Sequence, residues 1–298
     1  MPATSTIVRR SLALVAAVFV VALVAAVAAG ASSAWPFHRS HAHGTYLALG
    51  DSVAFGYVPP QAVPTPDYND PHSFVGYPEL LARRLHEHVV NASCPGETTA
   101  SMLVAGAQSN GCENSLGSPV GYRTFYPLHV RYRGTQTQYA LHYLAFHRDT
   151  RLITIDIGAN DALLCQETTA DQCTSPVEFA GVTAQITSNL GTILHDLRLE
   201  AHYRGPIVVL TYYSLSYSDP AQIQSTQALD SVIAGTATAN GATVADGFGA
   251  FQAPSLAAGG DPCAAGLLVK LPDGTCNIHP SRAGHRLLAR AIVEALGT

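Results

Sequence analysis

The sequence contains 298 residues, of which 47% are hydrophobic and 12% are charged, and its formal net charge is −5. This composition supplies enough apolar side chains for one large α/β domain or two smaller ones, and it excludes a disordered chain. The net negative charge comes without any basic stripe, so we expect no nucleic-acid partner.

The N-terminal segment has the pattern of a secretory signal. Arg9 and Arg10 precede an unbroken apolar run, Leu12–Ala29, and small residues follow as far as Ala34. A basic start, an apolar stretch and a small-residue exit are typical of a cleaved signal peptide. The run is also just long enough to span a bilayer, so an uncleaved anchor with the remaining chain outside is the alternative. We therefore expect residues 1–34 to be a signal, residues 35–44 a flexible lead-in, and residues 45–298 one secreted domain.

Beyond the lead-in, runs rich in β-branched residues alternate with segments of helical spacing. In chain order, the predicted elements are a strand at 45–50, a helix at 77–88, a strand at 89–94, a helix at 136–147, a strand at 151–158, a helix at 175–200, a strand at 206–213, a helix at 221–239, the segment ATVADGF at 242–248 and a helix at 283–296. Such alternation predicts βαβ units, which form a parallel sheet with helices on both faces.

Three segments are too long and too rich in Gly, Pro or Ser to be ordinary connections. They are Pro59–Ser73, Ala107–Tyr126 and Ala253–Gly274, and we interpret them as insertions over the site. The first two and their neighbourhood carry five aromatic residues, Tyr68, Phe74, Tyr122, Phe125 and Tyr126. These rings could line an apolar groove or simply pack the loops, and the sequence leaves both readings open.

Six cysteines suit the oxidising compartment that the signal indicates, and six allow fifteen connectivities. Sequence order favours the pairs Cys94–Cys112, Cys165–Cys173 and Cys263–Cys276. Each pair would close a short loop and stabilise the fold by roughly 2–4 kcal/mol. A zinc site is the rival interpretation, but no two cysteines have the short spacing that such sites use. We expect neither a metal nor an organic cofactor.

The first predicted strand ends in Gly50-Asp51-Ser52, a turn-forming triplet with a hydroxyl at its tip. A serine at the end of a strand can act as a nucleophile if a base lies beside it. Ala54 stands where the G-x-S-x-G elbow of α/β-hydrolases requires a second glycine, so that class is disfavoured. Taken alone, the triplet is as easily a capped turn, in which Asp51 shapes the backbone.

Two further loops follow predicted strands and carry polar chemistry. Gly96 follows the second strand, and a glycine there lets backbone N–H groups approach a ligand closely. Gly158, Asn160 and Asp161 follow the third strand, where a side-chain amide could donate to an oxyanion. An ordinary turn glycine and a helix N-cap by Asn160 or Asp161 are the simpler readings. Parallel sheets bind ligands at the carboxyl ends of their strands, so all three loops can meet there.

A base for Ser52 must come from another part of the chain, which contains thirteen histidines. His279 differs from the others because it stands just before the final helix, on a loop that a disulfide at Cys276 would anchor. Its position at the C-terminal end of the chain completes a set of four segments, in the order Ser52, Gly96, Asn160 and His279.

With these segments, the sequence resembles the SGNH (GDSL-type) hydrolase family over essentially all of residues 45–298, and it looks most like secreted, disulfide-stabilised actinobacterial lipases and esterases. The resemblance implies a three-layer α/β/α sandwich of flavodoxin-like topology, with a central, mostly parallel five-stranded sheet. It also implies that Ser52 is the nucleophile and His279 the general base. The backbone N–H groups of Ser52 and Gly96 and the Asn160 amide would form the oxyanion hole.

One position departs from the family pattern, which places an aspartate three residues before the histidine. That position is Cys276 here, and the next residue, Asn277, is not an acid. We therefore expect a Ser–His dyad in which a backbone carbonyl accepts the Nδ1 hydrogen of His279. Asp273 is the less favoured substitute.

The leading hypothesis is a monomeric, secreted carboxylic ester hydrolase that acts on a small-molecule or lipid ester. An acyltransferase on the same serine and histidine is the alternative, which product analysis with added alcohols would separate. A non-catalytic binding protein of the same fold is the least favoured reading, because it has no use for four matched segments.

Overall fold

The computed structural model describes residues 44–297, so the predicted signal and nearly all of the lead-in lie outside the described residues. Five strands form one sheet in the order β2-β1-β3-β4-β5, and every neighbouring pair is parallel. The strands are β1 (Thr45–Gly50), β2 (His88–Asn91), β3 (Thr150–Asp156), β4 (Ile207–Leu210) and β5 (Thr243–Ala245). The expected five-stranded parallel sheet is confirmed.

Helices connect these strands and cover the sheet. They are α1 (Ser52–Phe55), α2 (Tyr77–Leu85), α3 (Thr99–Leu103), α4 (Tyr122–Phe125), α5 (Gln136–Phe146), α6 (Ala159–Thr168), α7 (Pro176–Leu199), α8 (Pro220–Ala239), α9 (Gly247–Ala257) and α10 (Arg282–Leu296), with a short 3₁₀ helix at Pro71–Ser73. One group, α2, α9 and α10, packs together, and a second group forms around α7. The predicted α/β/α sandwich is therefore confirmed. Within residues 44–297, no helix combines the length and apolarity that a bilayer span requires.

The strand order creates the site. The chain leaves β1 in one direction to form β2 and then returns past β1 to form β3, so the order reverses between β1 and β3. Gly50 and Asp156, the last residues of these two strands, lie side by side in register. Open parallel sheets bind their ligands at such a switch point, outside the carboxyl ends of the strands. The loops after β1 and β3, which carry Ser52 and Asn160, begin there.

The strands are continuous apolar runs in the sequence because they are buried on both faces. Every residue of β4 is buried, as are Leu47, Leu49, Ile153 and Ile155 in the two central strands. A strand covered by helices on both faces has no solvent side, so it shows no alternation of apolar and polar residues.

Several predicted boundaries were wrong. The helix predicted at 77–88 ends at Leu85, because His86 adopts a left-handed conformation with φ 58°. The insertion predicted at 253–274 begins inside α9, whose N-cap Asp246 accepts from Gly249 N and which contains Pro254. Buried Phe248 and Phe251 anchor this helix in the core, and that packing outweighs its Gly and Pro content.

Three disulfides join Cys94 to Cys112, Cys165 to Cys173 and Cys263 to Cys276, the pairing that sequence order predicts. The last of these is attached to a small hairpin that was not expected, formed by β6 (Leu268–Lys270) and β7 (Cys276–Pro280). Disulfides of this kind persist in oxidising compartments, so they are consistent with an extracellular protein.

Candidate active site

Ser52 stands at the first helical position after β1, because a sharp turn ends the strand. Gly50 has φ 141°, and a Cβ placed there would collide with the backbone oxygen of Asp156. Only glycine fits this position. Asp51 is the N-cap of α1 and accepts from Val53 N through Oδ1. The turn thus delivers the Ser52 hydroxyl to the carboxyl end of the sheet.

His279 reaches this hydroxyl from the far end of the chain. Its Nε2 lies 2.8 Å from Ser52 Oγ, a hydrogen bond between residues 227 positions apart. His279 lies within strand β7, so the predicted loop was wrong at this point. The strand is tied to the core by Tyr213, whose hydroxyl donates to the Ile278 carbonyl, and to its neighbours by the disulfide at Cys276.

The second ring nitrogen of His279 has a side-chain partner. Asn277 Oδ1 lies 2.5 Å from His279 Nδ1 and also accepts from the His279 backbone N–H. The expected backbone carbonyl at Nδ1 was therefore wrong, because the Asn277 side chain folds back along β7 and fills that place. Asp273 is exposed and accepts from the backbone and hydroxyl of Thr275.

The Gly96 loop lies against the same cavity as Ser52. Gly96 has φ 80°, and a Cβ there would collide with the Asn110 carbonyl oxygen. The Gly96 carbonyl accepts from Asn110 N at 2.7 Å, which holds this loop against the segment that contains Asn110. Side chains larger than hydrogen are therefore excluded at this position.

Asn160 is buried and its amide is held from both sides. Asn110 Nδ2 donates to Asn160 Oδ1, and Asn160 Nδ2 donates to Asp51 Oδ2, each at 3.3 Å. An amide nitrogen carries two hydrogens, so the bond to Asp51 uses one of them, and Asn160 lines the same cavity as Ser52. The Asp51 carboxylate also accepts from the Tyr212 hydroxyl at 2.6 Å, so three elements orient this amide.

Asp161 and Gly158 stabilise the loop after β3 that carries Asn160. Gly158 is the N-cap of α6 with φ 122°, so neither Asn160 nor Asp161 caps that helix. Asp161 instead accepts from the backbone N–H and the hydroxyl of Thr99 at the start of α3. It thereby joins the loop after β3 to the segment that follows Gly96.

Burial determines the charges behind the site. It raises the pKa of Asp51 to about 6, while burial and then the neighbouring Asp51 carboxylate raise the pKa of Asp156 well above its usual range. Two close carboxyls cannot both ionise easily, so Asp156 carries the proton and Asp51 the charge above about pH 6. Desolvation also lowers the pKa of His279 to about 4, which leaves its imidazole neutral at pH 7.

Sequence reasoning missed two buried residues that join the first two loops. Gln136 accepts from Gly50 N through Oε1, and its Nε2 donates to Gly50 O and to Glu97 Oε2. Gln136 is the first residue of α5 and has no exposed surface. The sequence shows only a glutamine at the start of a predicted helix, and its burial appears only in the structure.

Glu97 should make stability fall as pH rises. Burial raises its pKa to about 7, from an ordinary value of 4.5, although Ser101 and Gln136 donate to it. The folded state therefore binds the extra proton between these pH values, and a pKa that differs by one between the folded and unfolded states corresponds to about 1.4 kcal/mol. We expect Glu97→Gln to make the decline in unfolding free energy between pH 5 and pH 8 shallower, by up to about 3 kcal/mol.

Urea unfolding at the two pH values measures this effect. Glu294→Gln, at an exposed carboxylate on α10, is the matched control and should leave the slope unchanged. Asp161 and Asp230 also have raised pKa values, about 6 and 7, so part of the slope should remain. An unchanged slope in Glu97→Gln would contradict the role of this buried carboxyl.

Ser52, Gly96, Asn160 and His279 all line one cavity of about 1200 Å³. Of the five aromatic residues at the predicted insertions, Tyr122 lines this cavity. Tyr68, Phe74 and Tyr126 pack against other rings of these loops, and Phe125 is 64% exposed. Three of the five rings therefore serve loop packing.

One group of side chains in the described part of the chain has the proximity of metal ligands, namely Cys94, Glu97 and Cys112. Its two sulfurs form a disulfide, so neither is available as a thiolate.

Comparisons with known proteins agree with this architecture. A search of curated proteins found no match. An acetylxylan esterase from Geobacillus stearothermophilus superimposes with a TM-score of 0.53 and 16% identity, over 86% of this chain and 94% of that one. A putative GDSL-like lipase from Parabacteroides merdae gives a TM-score of 0.53 and 14% identity, over 85% and 95%. At identities this low, the comparison shows that these two proteins have the same fold as this chain and nothing more.

The sequence itself carries a family assignment. The model of the GDSL-like lipase/acylhydrolase family matches residues 48–287, a range that includes Ser52 and His279. This chain therefore belongs to the GDSL-like lipase/acylhydrolase family, a membership that supports carboxylic ester hydrolysis as its activity.

Proposed function

We propose that this protein is an exported serine ester hydrolase, with Ser52 as nucleophile and His279 as general base. The observation that carries the proposal is the 2.8 Å hydrogen bond between His279 Nε2 and Ser52 Oγ, two residues that line the cavity. A neutral imidazole beside a serine hydroxyl is the arrangement that activates the hydroxyl for attack.

The reaction takes two steps. Ser52 Oγ attacks the ester carbonyl carbon while His279 Nε2 accepts the hydroxyl proton. The resulting oxyanion is stabilised by the backbone N–H groups of Ser52 and Gly96 and by the Asn160 amide. The intermediate collapses as His279 returns the proton to the departing alcohol, which leaves an acyl-enzyme. Water then attacks the acyl-enzyme carbonyl carbon as His279 accepts a proton from it. The carboxylic acid leaves as His279 returns that proton to Ser52 Oγ.

Asn277 takes the place that an aspartate holds in a conventional triad. Its Oδ1 accepts the Nδ1 hydrogen of His279, which leaves Nε2 without a proton and facing Ser52. An amide fixes this tautomer but carries no negative charge. Protonated His279 therefore forms no ion pair with Asn277. This agrees with the direction of the His279 pKa, which desolvation lowers to about 4.

The role of Asn277 predicts a pH profile. Because His279 must be neutral to accept a proton, kcat/KM should rise through an acid limb near pH 4 and stay level above it. Asn277→Asp places a carboxylate beside the ring and should move this limb upward by about one pH unit or more. Asn277→Ala leaves Nδ1 without its acceptor and should lower kcat about 10²-fold.

Asp273→Ala is the control for this series, since it removes the nearby exposed acid and should leave the profile unchanged. Loss of turnover in Asp273→Ala with the fold intact would contradict the role of Asn277. An acid limb that stays in place in Asn277→Asp would contradict it as well. Steady-state kinetics on a p-nitrophenyl ester from pH 3 to pH 9 supplies both results.

Export through residues 1–34 is part of the proposal. It is supported by the signal-like sequence and by three disulfides in the described domain. Hydrolysis of p-nitrophenyl acetate by the purified protein is the direct test of the activity. If no p-nitrophenyl ester is hydrolysed at any chain length, the proposed function fails.

A further inference from the structure

The cavity beside Ser52 continues well beyond the reacting groups. It lies between α6, α7 and α8, and the segment after β4 and strand β7 close it. We call its hydrophobic lining the apolar wall, and the wall consists of Leu163, Phe179, Tyr213, Leu215, Leu229 and Ile278. The wall runs directly up to the nucleophile, since Ile278 precedes His279 in the chain and Leu163 follows Asn160 by one helical turn.

The charge of the lining limits what the cavity can bind. Among the described residues that line it, none is a lysine or an arginine, and its acids are Asp51 and Glu167. Asp51 is already engaged by Val53, Tyr212 and Asn160. The remaining polar lining consists largely of amides and hydroxyls, such as Gln222 and Thr226 on α8. A lining without lysine or arginine offers no charge-assisted donor of that kind to a phosphate or a carboxylate, which favours a neutral group in the cavity.

Part of the apolar wall is exposed to solvent. Leu215 and Ile278 are 41% and 43% exposed, and both line the cavity. Unpaired apolar side chains that converge beside a catalytic serine are favourable contacts for the methylene groups of a substrate. The volume of about 1200 Å³ exceeds the range of roughly 300–1,000 Å³ typical of small-ligand pockets. An acetyl group would leave most of it empty.

We propose that the apolar wall binds the acyl chain of the substrate, so that the protein hydrolyses long-chain esters of a neutral alcohol in preference to acetates. This inference rests on the proposed function and adds the substrate class. Each methylene that enters a hydrophobic pocket improves kcat/KM when its contacts persist in the transition state. The preference should therefore increase with chain length until the wall is filled.

A chain-length series measures the preference. The wild-type protein should hydrolyse p-nitrophenyl octanoate with a kcat/KM at least tenfold above that of p-nitrophenyl acetate. Leu163→Trp fills the cavity at the wall and should lower the ratio of kcat/KM for octanoate to kcat/KM for acetate at least tenfold. Leu164→Trp, on the same helix at a residue that does not line the cavity, is the matched control and should change neither.

A second pair of variants removes any dependence on how α6 tolerates tryptophan. Leu215→Glu places a carboxylate on the exposed part of the wall and should likewise lower the octanoate-to-acetate ratio of kcat/KM. Leu199→Glu adds the same charge at an exposed leucine at the end of α7 and should leave this ratio unchanged. A wild-type profile that peaks at acetate, or an equal loss for both esters in Leu163→Trp and Leu215→Glu, overturns the inference. Hydrolysis of acetate alone leaves the proposed function standing, so the two failures are distinguishable.

Discussion

Replacing Ser52 by alanine should lower kcat for p-nitrophenyl acetate by about 10⁶. In the proposed mechanism the Ser52 hydroxyl oxygen forms the acyl-enzyme, and the structure holds it 2.8 Å from His279 Nε2. His279→Ala should lower kcat by a similar factor, because the serine and the histidine act as a unit and neither is effective without the other. The double variant should therefore be no slower than either single variant, and burst and steady-state kinetics measure all three.

Ser231→Ala is the matched control, since its hydroxyl is exposed on α8 and donates within that helix. It should retain full activity. Both active-site variants should keep the wild-type circular dichroism and thermal midpoint, because neither side chain contributes to the buried core. Substantial turnover in a folded Ser52→Ala protein would mean that another group attacks the ester, and an additive double variant would mean that Ser52 and His279 act separately.

Replacing Asn160 by alanine should lower kcat by about 10²–10³ with little change in KM. The amide is held between Asp51 and Asn110, and Asn160 lines the same cavity as Ser52. Removal of one oxyanion donor costs roughly 2.7–4 kcal/mol of transition-state stabilisation. Because the negative charge develops only in the transition state, the loss should fall on kcat rather than on substrate binding.

Two comparisons sharpen this result. Asn240→Ala removes an amide that bonds within α8, far along the chain from the loop after β3, and should leave kcat unchanged. Asn110→Ala removes only the partner that holds Asn160 Oδ1, so we expect a loss smaller than that of Asn160→Ala. A rise in KM at constant kcat would assign Asn160 to ground-state binding and would contradict an oxyanion role.

The sequence alone was enough to predict the parallel sheet, the disulfide pairs and the turn before Ser52. The periodicity and the apolar runs predicted the parallel sheet, and the order of the cysteines predicted the three disulfides. The triplet Gly50-Asp51-Ser52 predicted a turn, since glycine is needed where φ is positive and Asp51 can cap α1. Such signals depend on neighbours within a few residues, so they can be read directly from the chain.

Only the tertiary structure decided which side chains complete the site. Asn277 reaches His279 because residues two apart on a strand lie on the same face, and residues 276–280 form a strand by pairing with β6. Gln136 joins Gly50 across 86 positions, and no periodicity reports such a contact. The apolar wall likewise combines α6, α7 and α8 with the segment after β4 and strand β7. Contacts between distant segments depend on how the helices pack on the sheet, and that packing is a property of the whole fold.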